Sequence, residues 1–225
     1  GLDLNLDPML CSWFTGWVDG EGCFKSRINN QGNGIACDLK VTVRDDDAQL
    51  IYNVREALGC GSIQRDRRDT AHRNPQISWI CSDTGACRHI LIPLLDKYTL
   101  HSKKRRDYEI WRKLVIAISD GYHLNGSRGY VLGLCQELKN IKRYTPPSFE
   151  NIYRNDFCPD ESWHSWFSGW IDCEACFFTS PKKHGLGMDY GLRVHIRDDD
   201  ASLIYGVRDT LQCGTIYLTS SDREG

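Results

Sequence analysis

The sequence predicts an α+β protein made of two similar half-domains, each with the element order αββαββα. Three observations support this prediction: a segment recurs at an offset of 153 residues, each copy opens with apolar residues at helical spacing, and alternating strand patterns follow. Residues 12–63 align with residues 165–216 without a gap, and about half of the aligned positions are identical. Two copies of so long a unit favour paired half-domains about a pseudo-two-fold axis rather than a solenoid.

The first element is a helix over residues 9–21. Asp7 is the expected N-cap, and Pro8 occupies the first turn, where a missing N–H costs nothing. We expect Gly22 to end this helix in the left-handed conformation that glycine adopts easily. Ala175 stands at the corresponding position of the second copy, where a left-handed cap would cost more.

Strands and further helices follow in the first copy. Alternating side chains give each strand one polar face, and a Gly-Asn-rich turn at 31–34 joins the first two strands. The predicted strands span 23–30, 37–44, 61–68 and 76–82, and the predicted helices span 46–58, 84–98, 102–118 and 121–143.

Three segments follow from this pattern. The first half-domain spans residues 1–120, an extra helix and linker span 121–162 (with the linker itself at 145–162), and the second half-domain spans 163–225. The second copy has no counterpart to residues from 73 to about 118. We therefore expect the second half-domain to be incomplete at its C-terminus.

Composition excludes several classes of protein. Of the 225 residues, 40% are hydrophobic and 26% are charged, which is typical of a globular chain. No apolar run approaches the roughly 18 residues that span a bilayer, and the first residues lack the pattern of a secretory signal. The eleven cysteines are scattered and odd in number, which favours reduced thiols. We therefore expect an intracellular protein of the cytoplasm or an organelle matrix, neither secreted nor membrane-bound.

The net charge of −2 argues at first against a nucleic-acid partner, but the charge is unevenly spread. Lys and Arg outnumber Asp and Glu by 12 to 6 within residues 64–118, whereas they are outnumbered by 12 to 7 within 151–225. A nucleic-acid partner therefore remains compatible with the composition.

Two repeated segments, WFTGWVDGEGCF and WFSGWIDCEACF, resemble the paired motif of the LAGLIDADG homing endonucleases. The segment HSKKRRDYEIW at 101–111 also resembles the lysine-bearing segment of that family. The resemblance implies the homing endonuclease fold, in which antiparallel β saddles contact double-stranded DNA. It also implies a monomer that cuts a long, asymmetric target site in a Mg²⁺-dependent reaction, as in intron or intein homing.

Glu21 and Glu174 end the two motif helices, where a carboxylate meets the negative end of the helix dipole. Two such helices side by side would bring the carboxylates together, and Mg²⁺ would relieve their repulsion. We therefore predict both glutamates as metal ligands and catalytic residues, with Ca²⁺ or Mn²⁺ able to substitute. The preceding residues, Gly20 and Cys173, are the other expected metal-site positions, and the resemblance implies a catalytic role for Lys103, beside Lys104.

Outward-facing strand residues are the expected DNA contacts, because a two-stranded ribbon fits a major groove about 12 Å wide. The two faces differ in composition, so the target should not be a palindrome. The expected contacts are Lys25, Arg27, Asn29, Lys40, Thr42, Gln64 and Arg68 in the first half, and Phe178, Ser180, Lys182, Arg193, His195, Tyr217 and Thr219 in the second.

Two other functions remain open from the sequence. The resemblance also covers intron maturases that bind structured RNA, and catalytically inactive DNA-binding relatives. The pair Cys173 and Cys176 has the spacing of a zinc or redox site, but its counterpart in the first copy is Gly20 and Cys23, which favours packing cysteines.

Overall fold

The computed structural model describes residues 6–28, 34–66, 74–144, 157–182, 185 and 187–218. The helices are α1 (Pro8–Glu21), α2 (Ala48–Leu58), α3 (Thr84–Ala86), α4 (Ile92–Lys97), α5 (Lys104–Ser119), α6 (Arg128–Ile141), α7 (Glu161–Glu174) and α8 (Ala201–Leu211). The strands are β1 (Gly22–Ile28), β2 (Ile35–Arg44), β3 (Ser62–Asp66), β4 (Gln76–Cys81), β5 (Ala175–Pro181) and β6 (Met188–Val194). None of the helices within the described ranges is long and apolar enough to cross a bilayer.

Both motif helices begin with a side-chain cap. The Asp7 carboxylate accepts a hydrogen bond of 2.9 Å from the Met9 N–H, and Pro8 is the first helical residue, as the sequence predicts. Asp160 accepts one of 2.8 Å from the Trp163 N–H, so α7 starts at Glu161, inside the range predicted for the linker. The linker residues 145–156 lie outside the described residues.

The prediction of a left-handed cap at Gly22 is wrong. Gly22 has φ −67° and ψ 144°, and Ala175 has φ −100° and ψ 150°, so each motif helix runs directly into an extended strand. An extended backbone is open to any residue. Ala175 therefore carries no conformational cost at the end of α7.

Helices α1 and α7 pack against each other at very close range. A Cβ added to Gly16 would overlap the Trp166 carbonyl, and one added to Gly169 would overlap the Trp13 carbonyl. The contact is symmetric, as expected for two copies of one unit. Glycine is required at both positions because the two backbones touch.

The first half contains a four-stranded antiparallel sheet in the order β1-β2-β4-β3. One face carries buried residues such as Phe24, Leu39 and Trp79. Helix α5 covers this face, and the Phe24 ring lies 5.7 Å from the Tyr108 ring and 5.3 Å from the Trp111 ring. The opposite, polar face of the sheet is not covered by α5.

The second half contains a two-stranded sheet, β5-β6, and helix α8. At the offset of 153, the predicted strand 61–68 corresponds to residues 214–221, and the part of it that the structure describes, 214–218, forms no strand. In the first half the corresponding strand β3 pairs with β4, and the described residues of the second half contain no equivalent of β4. A strand needs a hydrogen-bonded neighbour, and because this segment has none among the described residues it does not form a strand.

The remaining predicted elements are present with small differences at their ends. The helix predicted at 84–98 consists of α3, a π-helical turn at Cys87–Leu91 and α4. The helix predicted at 121–143 starts as a 3-10 turn at Tyr122–Leu124 before α6. The α+β fold of paired half-domains with antiparallel sheets is therefore confirmed.

Candidate metal centre and nucleic-acid interface

The C-terminal ends of α1 and α7 meet, which places Glu21 and Glu174 in one centre. A Cβ added to Gly20 would overlap the Cys173 side chain and lie 3.7 Å from Cγ of Glu174. Burial raises the pKa of both glutamates, and the charge of Glu21 contributes to the shift at Glu174. The tertiary structure therefore brings the two predicted acids together.

The positively charged ammonium group of Lys104 lies in the same centre. Its ammonium donates hydrogen bonds to the backbone carbonyls of Val18, at 3.3 Å, and Gly20. Burial lowers the pKa of Lys104, and the surrounding carboxylates oppose that shift. Lys104 also partly offsets the rise in the pKa of both glutamates.

Lys103 points to a different partner. Its ammonium lies 2.5 Å from Oδ1 of Asp199, and its backbone N–H donates a 3.0 Å hydrogen bond to Asp200. Successive residues at a helix start project in different directions, so only one of the two lysines faces the acids. The geometry favours Lys104 over Lys103, the lysine chosen from the sequence, for a role beside Glu21 and Glu174.

Asp19 is buried and accepts four hydrogen bonds. The donors are the His101 N–H at 2.7 Å, the Ser102 N–H at 3.1 Å, the Ser102 hydroxyl at 2.5 Å and the Trp166 indole N–H at 2.8 Å. These bonds connect α1 to α7 and to the start of α5, beside Lys104. Sequence reasoning did not find the roles of Ser102 and Trp166, because no pattern along the chain reveals a hydrogen bond between distant elements.

The second copy repeats part of this arrangement. The Trp13 indole donates a 2.9 Å hydrogen bond to Asp172, mirroring the bond from Trp166 to Asp19. The first tryptophan of each motif therefore donates to the first acid of the other motif. The signal that could have found this is the repeat itself, which holds both the tryptophan and the aspartate in each copy.

Cys173 and Cys176 do not converge on a common site. The Cys173 thiol lies 3.6 Å from the carbonyl oxygens of both Trp17 and Gly169, and burial raises its pKa, while Cys176 is exposed. All eleven cysteines lie within the described residues and are free thiols. In the described part of the chain, no three His, Cys, Asp or Glu side chains form a cluster that could hold a metal ion. The candidate side-chain ligands for a metal at the centre are thus two carboxylates. The Gly20 and Cys173 carbonyls directly precede Glu21 and Glu174 in the chain and are the candidate backbone ligands.

The polar face of the first sheet carries the predicted DNA contacts that the structure describes. Strand register pairs Lys25 with Asp38, Cys23 with Lys40, and Ser78 with both Thr42 and Gln64. Paired residues share a face, so the polar side chains line up across all four strands. The predicted contacts that this register places on one face are Lys25, Arg27, Lys40, Thr42 and Gln64.

The second sheet presents a shorter version of this face. Phe178 pairs with Gly191 and Ser180 with Asp189, and the Arg193 guanidinium lies 4.8 Å from the centre of the Phe178 ring. The other predicted contacts are not on the paired strands that the structure describes. Lys182 follows β5 and lies 3.7 Å from Asp189, His195 follows β6, Tyr217 is exposed on the unpaired segment, and Asn29, Arg68 and Thr219 lie outside the described residues.

A sequence profile described as LAGLIDADG endonuclease matches residues 14–115. Over this segment, which is less than half of its length, the chain is similar to LAGLIDADG endonucleases. It is 24% identical over 177 residues to the probable intron-encoded endonuclease Cox1-I1b of Schizosaccharomyces pombe, covering 76% of this chain and 41% of that protein. It is also 24% identical over 178 residues to the uncharacterized mitochondrial protein RF1 of Saccharomyces cerevisiae, covering 79% of this chain and 34% of that protein. The chain therefore matches less than half the length of either relative.

Solved structures of LAGLIDADG enzymes have the same fold. The chain superposes on the LAGLIDADG homing endonuclease I-SmaMI bound to cleaved DNA with a TM-score of 0.76 and 22% identity, covering 96% of this chain and 75% of that one. A second I-SmaMI structure, bound to uncleaved DNA in the presence of calcium ions, gives a TM-score of 0.75 with 22% identity, covering 96% of this chain and 76% of that one. At 22% identity this similarity shows that the chain has the same fold of two paired halves.

Proposed function

We propose that this protein is a LAGLIDADG endonuclease, a site-specific enzyme that cuts both strands of DNA by hydrolysing phosphodiester bonds with Mg²⁺. The observation that carries the proposal is the meeting of Glu21 and Glu174 at the touching ends of α1 and α7. The related S. pombe protein is named a probable intron-encoded endonuclease, and I-SmaMI binds DNA targets. We propose that the target site lies in a gene that hosts an intron or intein, because the S. pombe relative is named as intron-encoded.

The donor set suits a hard divalent cation. The two carboxylates and their neighbouring backbone carbonyls offer oxygen ligands, which Mg²⁺ prefers, and Ca²⁺ or Mn²⁺ would fit the same oxygens. The Cys173 thiol lies beside them, but burial raises its pKa and so favours the protonated form, which is a poor metal ligand. Glu21 and Glu174, with the Cys173 carbonyl, would hold the metal, and the Gly20 carbonyl could join them only if the Lys104 ammonium that donates to it moved away. When bound, Mg²⁺ would activate a water molecule and neutralise charge on the scissile phosphate.

Protein side chains supply the rest of the proposed chemistry. The Lys104 ammonium would stabilise negative charge on phosphate oxygens, as a positive group at a developing charge does. The sheet faces would hold the duplex, with Lys25, Lys40, Gln64 and Arg193 among the contacts. Because the α1-α7 pair puts both acids in one chain, we propose that a monomer acts on both strands. For its location we propose the cytoplasm or an organelle matrix, and the relative RF1 is named a mitochondrial protein.

The experiment is cleavage of a selected target duplex by the Glu21→Gln and Glu174→Gln variants. Each substitution keeps the size of the side chain but removes a charged metal ligand, so we expect the double-strand cleavage rate to fall at least about 100-fold. Glu137→Gln, on the exposed side of α6, is the matched control and should cut at the wild-type rate.

The outcomes separate the alternatives. Cutting retained by either motif variant would exclude that glutamate as a metal ligand. Duplex binding without Mg²⁺-dependent cutting in the wild-type protein would indicate a catalytically inactive relative, whereas preferential binding of intron RNA would indicate a maturase.

A further inference from the structure

We propose that Arg27, held by Asp38, recognises a guanine in the half of the target site that contacts the first sheet. The inference rests on the proposed function, because it specifies which base one side chain of the DNA-binding face selects. Its observations are the position of Arg27 on β1, the buried carboxylate of Asp38 on β2 and the polarity of the face that surrounds them.

The two side chains form a two-point contact. Nε of Arg27 lies 2.6 Å from Oδ2 of Asp38, and Nη2 donates a 2.7 Å hydrogen bond to Oδ1. The Asp38 side chain is only 5% exposed, whereas the Arg27 side chain is 61% exposed. A fixed, buried carboxylate therefore holds one edge of an otherwise exposed guanidinium and limits its rotamers.

The free edge of Arg27 suits guanine. Asp38 engages Nε and one N–H of Nη2, and the second Nη2 N–H makes a longer bond of 3.3 Å to the Ser82 hydroxyl. Asp38 and Ser82 leave both N–H groups of Nη1 for a DNA base. The neighbouring Nη2 N–H would also turn from the Ser82 hydroxyl to a stronger acceptor. In the major groove guanine presents two adjacent acceptors, N7 and O6, whereas adenine places an amino donor beside N7.

The pair is poorly suited to the alternative role of a phosphate contact. The Asp38 carboxylate neutralises the Arg27 charge and would repel a phosphate placed close to it. A base edge carries no net charge, so it meets no such repulsion. The contact therefore favours recognition of a base over attachment to the DNA backbone.

The second half lacks this pair. At the same offset of 153 residues, Ser180 replaces Arg27 and Gly191 replaces Asp38. The structure places those two residues on the equivalent face of β5 and β6, where the Phe178 ring approaches Gly191. The guanine preference should therefore occur in one half-site only, which makes it distinguishable from a preference shared by both halves.

The test is selection from a randomised duplex library with Ca²⁺ present, followed by sequencing of the bound molecules. In the wild-type pool we expect one half-site position with a strong guanine preference that Arg27→Ala removes. Base discrimination at that position should fall by about 10- to 100-fold, the range of one good bidentate contact, while other positions keep their preferences.

Asp38→Asn tests the positioning role of the carboxylate. It retains the size of the side chain but loses the charge, so guanine preference at the Arg27 position should weaken while Arg27 itself is present. Glu137→Gln, on the exposed side of α6 and away from both sheets, is the control and should leave the guanine preference unchanged. Circular dichroism and thermal unfolding of each variant confirm that it is folded.

Two results would overturn different claims. If duplexes are enriched but the guanine preference is absent, or survives in Arg27→Ala, the inference about Arg27 is wrong and the proposed function stands. If the wild-type protein enriches no duplex sequence, the proposed DNA-binding function fails first.

Discussion

Neighbouring lysines at the start of α5 have different surroundings, and this difference decides their roles. Lys104 donates to the Gly20 carbonyl beside the two glutamates, while Lys103 pairs with Asp199 in the second half. The resemblance of the segment 101–111 predicts a lysine at the site but does not distinguish between the two by geometry. The distinction depends on side-chain direction relative to elements about 80 to 100 residues away in the chain.

The two lysines should therefore differ in mutational effect. We expect Lys104→Ala to reduce the single-turnover cleavage rate by about 100- to 1,000-fold, the effect of removing a group that stabilises developing charge. Lys103→Ala should mainly lower the free energy of unfolding, by about 1 kcal/mol, because it removes one of the two cations that pair with the poorly exposed Asp199, and Arg197 remains as the other. Cleavage kinetics on the selected duplex and urea unfolding measure the two effects. Equal cleavage by wild type and Lys104→Ala would contradict the proposed role.

At the scale of elements, the α1-α7 contact determines where the acids lie. The close approach at Gly16 and Gly169 brings the helix ends together, and the crossed indole bonds to Asp19 and Asp172 maintain their alignment. The repeat in the sequence predicts that these helices pair. It does not show that tryptophan from one motif donates to aspartate from the other.

Gly16→Ala tests this contact. The added Cβ would overlap the Trp166 carbonyl and come within 2.9 Å of the Trp170 backbone nitrogen, so the helices must separate. We expect the free energy of unfolding to fall by about 2 kcal/mol or more, as for an overpacked core. The measurement is urea unfolding.

Gly133→Ala on α6 is the matched control, because an added Cβ there meets nothing within 4 Å. Its effect should be neutral or stabilising by up to about 1 kcal/mol, since alanine favours a helix. Equal stabilities of the two variants would show that the helices adjust to the added methyl group.

At the scale of the whole molecule, three aspartates of the second half bind residues earlier in the chain, at the start of α5 and just after α6. Asp200 accepts the Lys103 N–H, Asp199 binds the Lys103 ammonium, and the Tyr144 hydroxyl donates a 2.9 Å hydrogen bond to Asp198. The Asp-Asp-Asp run appears in both copies, and the sequence suggests only a helix start with favourable charge. Its part in joining the halves follows from their packing.

This contact predicts a pH dependence. Burial raises the pKa of Asp200 from 3.8 to about 6, so the folded state binds the Asp200 proton more tightly than the unfolded state. The stability contributed by this group is fully present below about pH 4 and is lost as the pH rises through about 6. Asp200→Asn keeps an acceptor for the Lys103 N–H but cannot ionise.

We therefore expect wild type to lose stability relative to Asp200→Asn between pH 4 and pH 6, with a constant difference above pH 7. Thermal unfolding of both proteins across this range measures the difference. A difference that stays constant from pH 4 to pH 7 would show that Asp200 does not titrate in this window.

The sequence by itself determined the duplicated unit, the acid-ended helices and the polar strand faces, because these depend on spacing and alternation along the chain. It was wrong about the left-handed cap at Gly22 and about a second-copy counterpart of the strand 61–68, since backbone direction after a helix and strand pairing depend on neighbouring elements. Only the tertiary structure decided that Lys104 faces the acids, that Asp38 holds Arg27, and that Asp19 ties α1 to α5 and α7. These contacts join residues distant in the chain, and their geometry exists only after the two halves have packed.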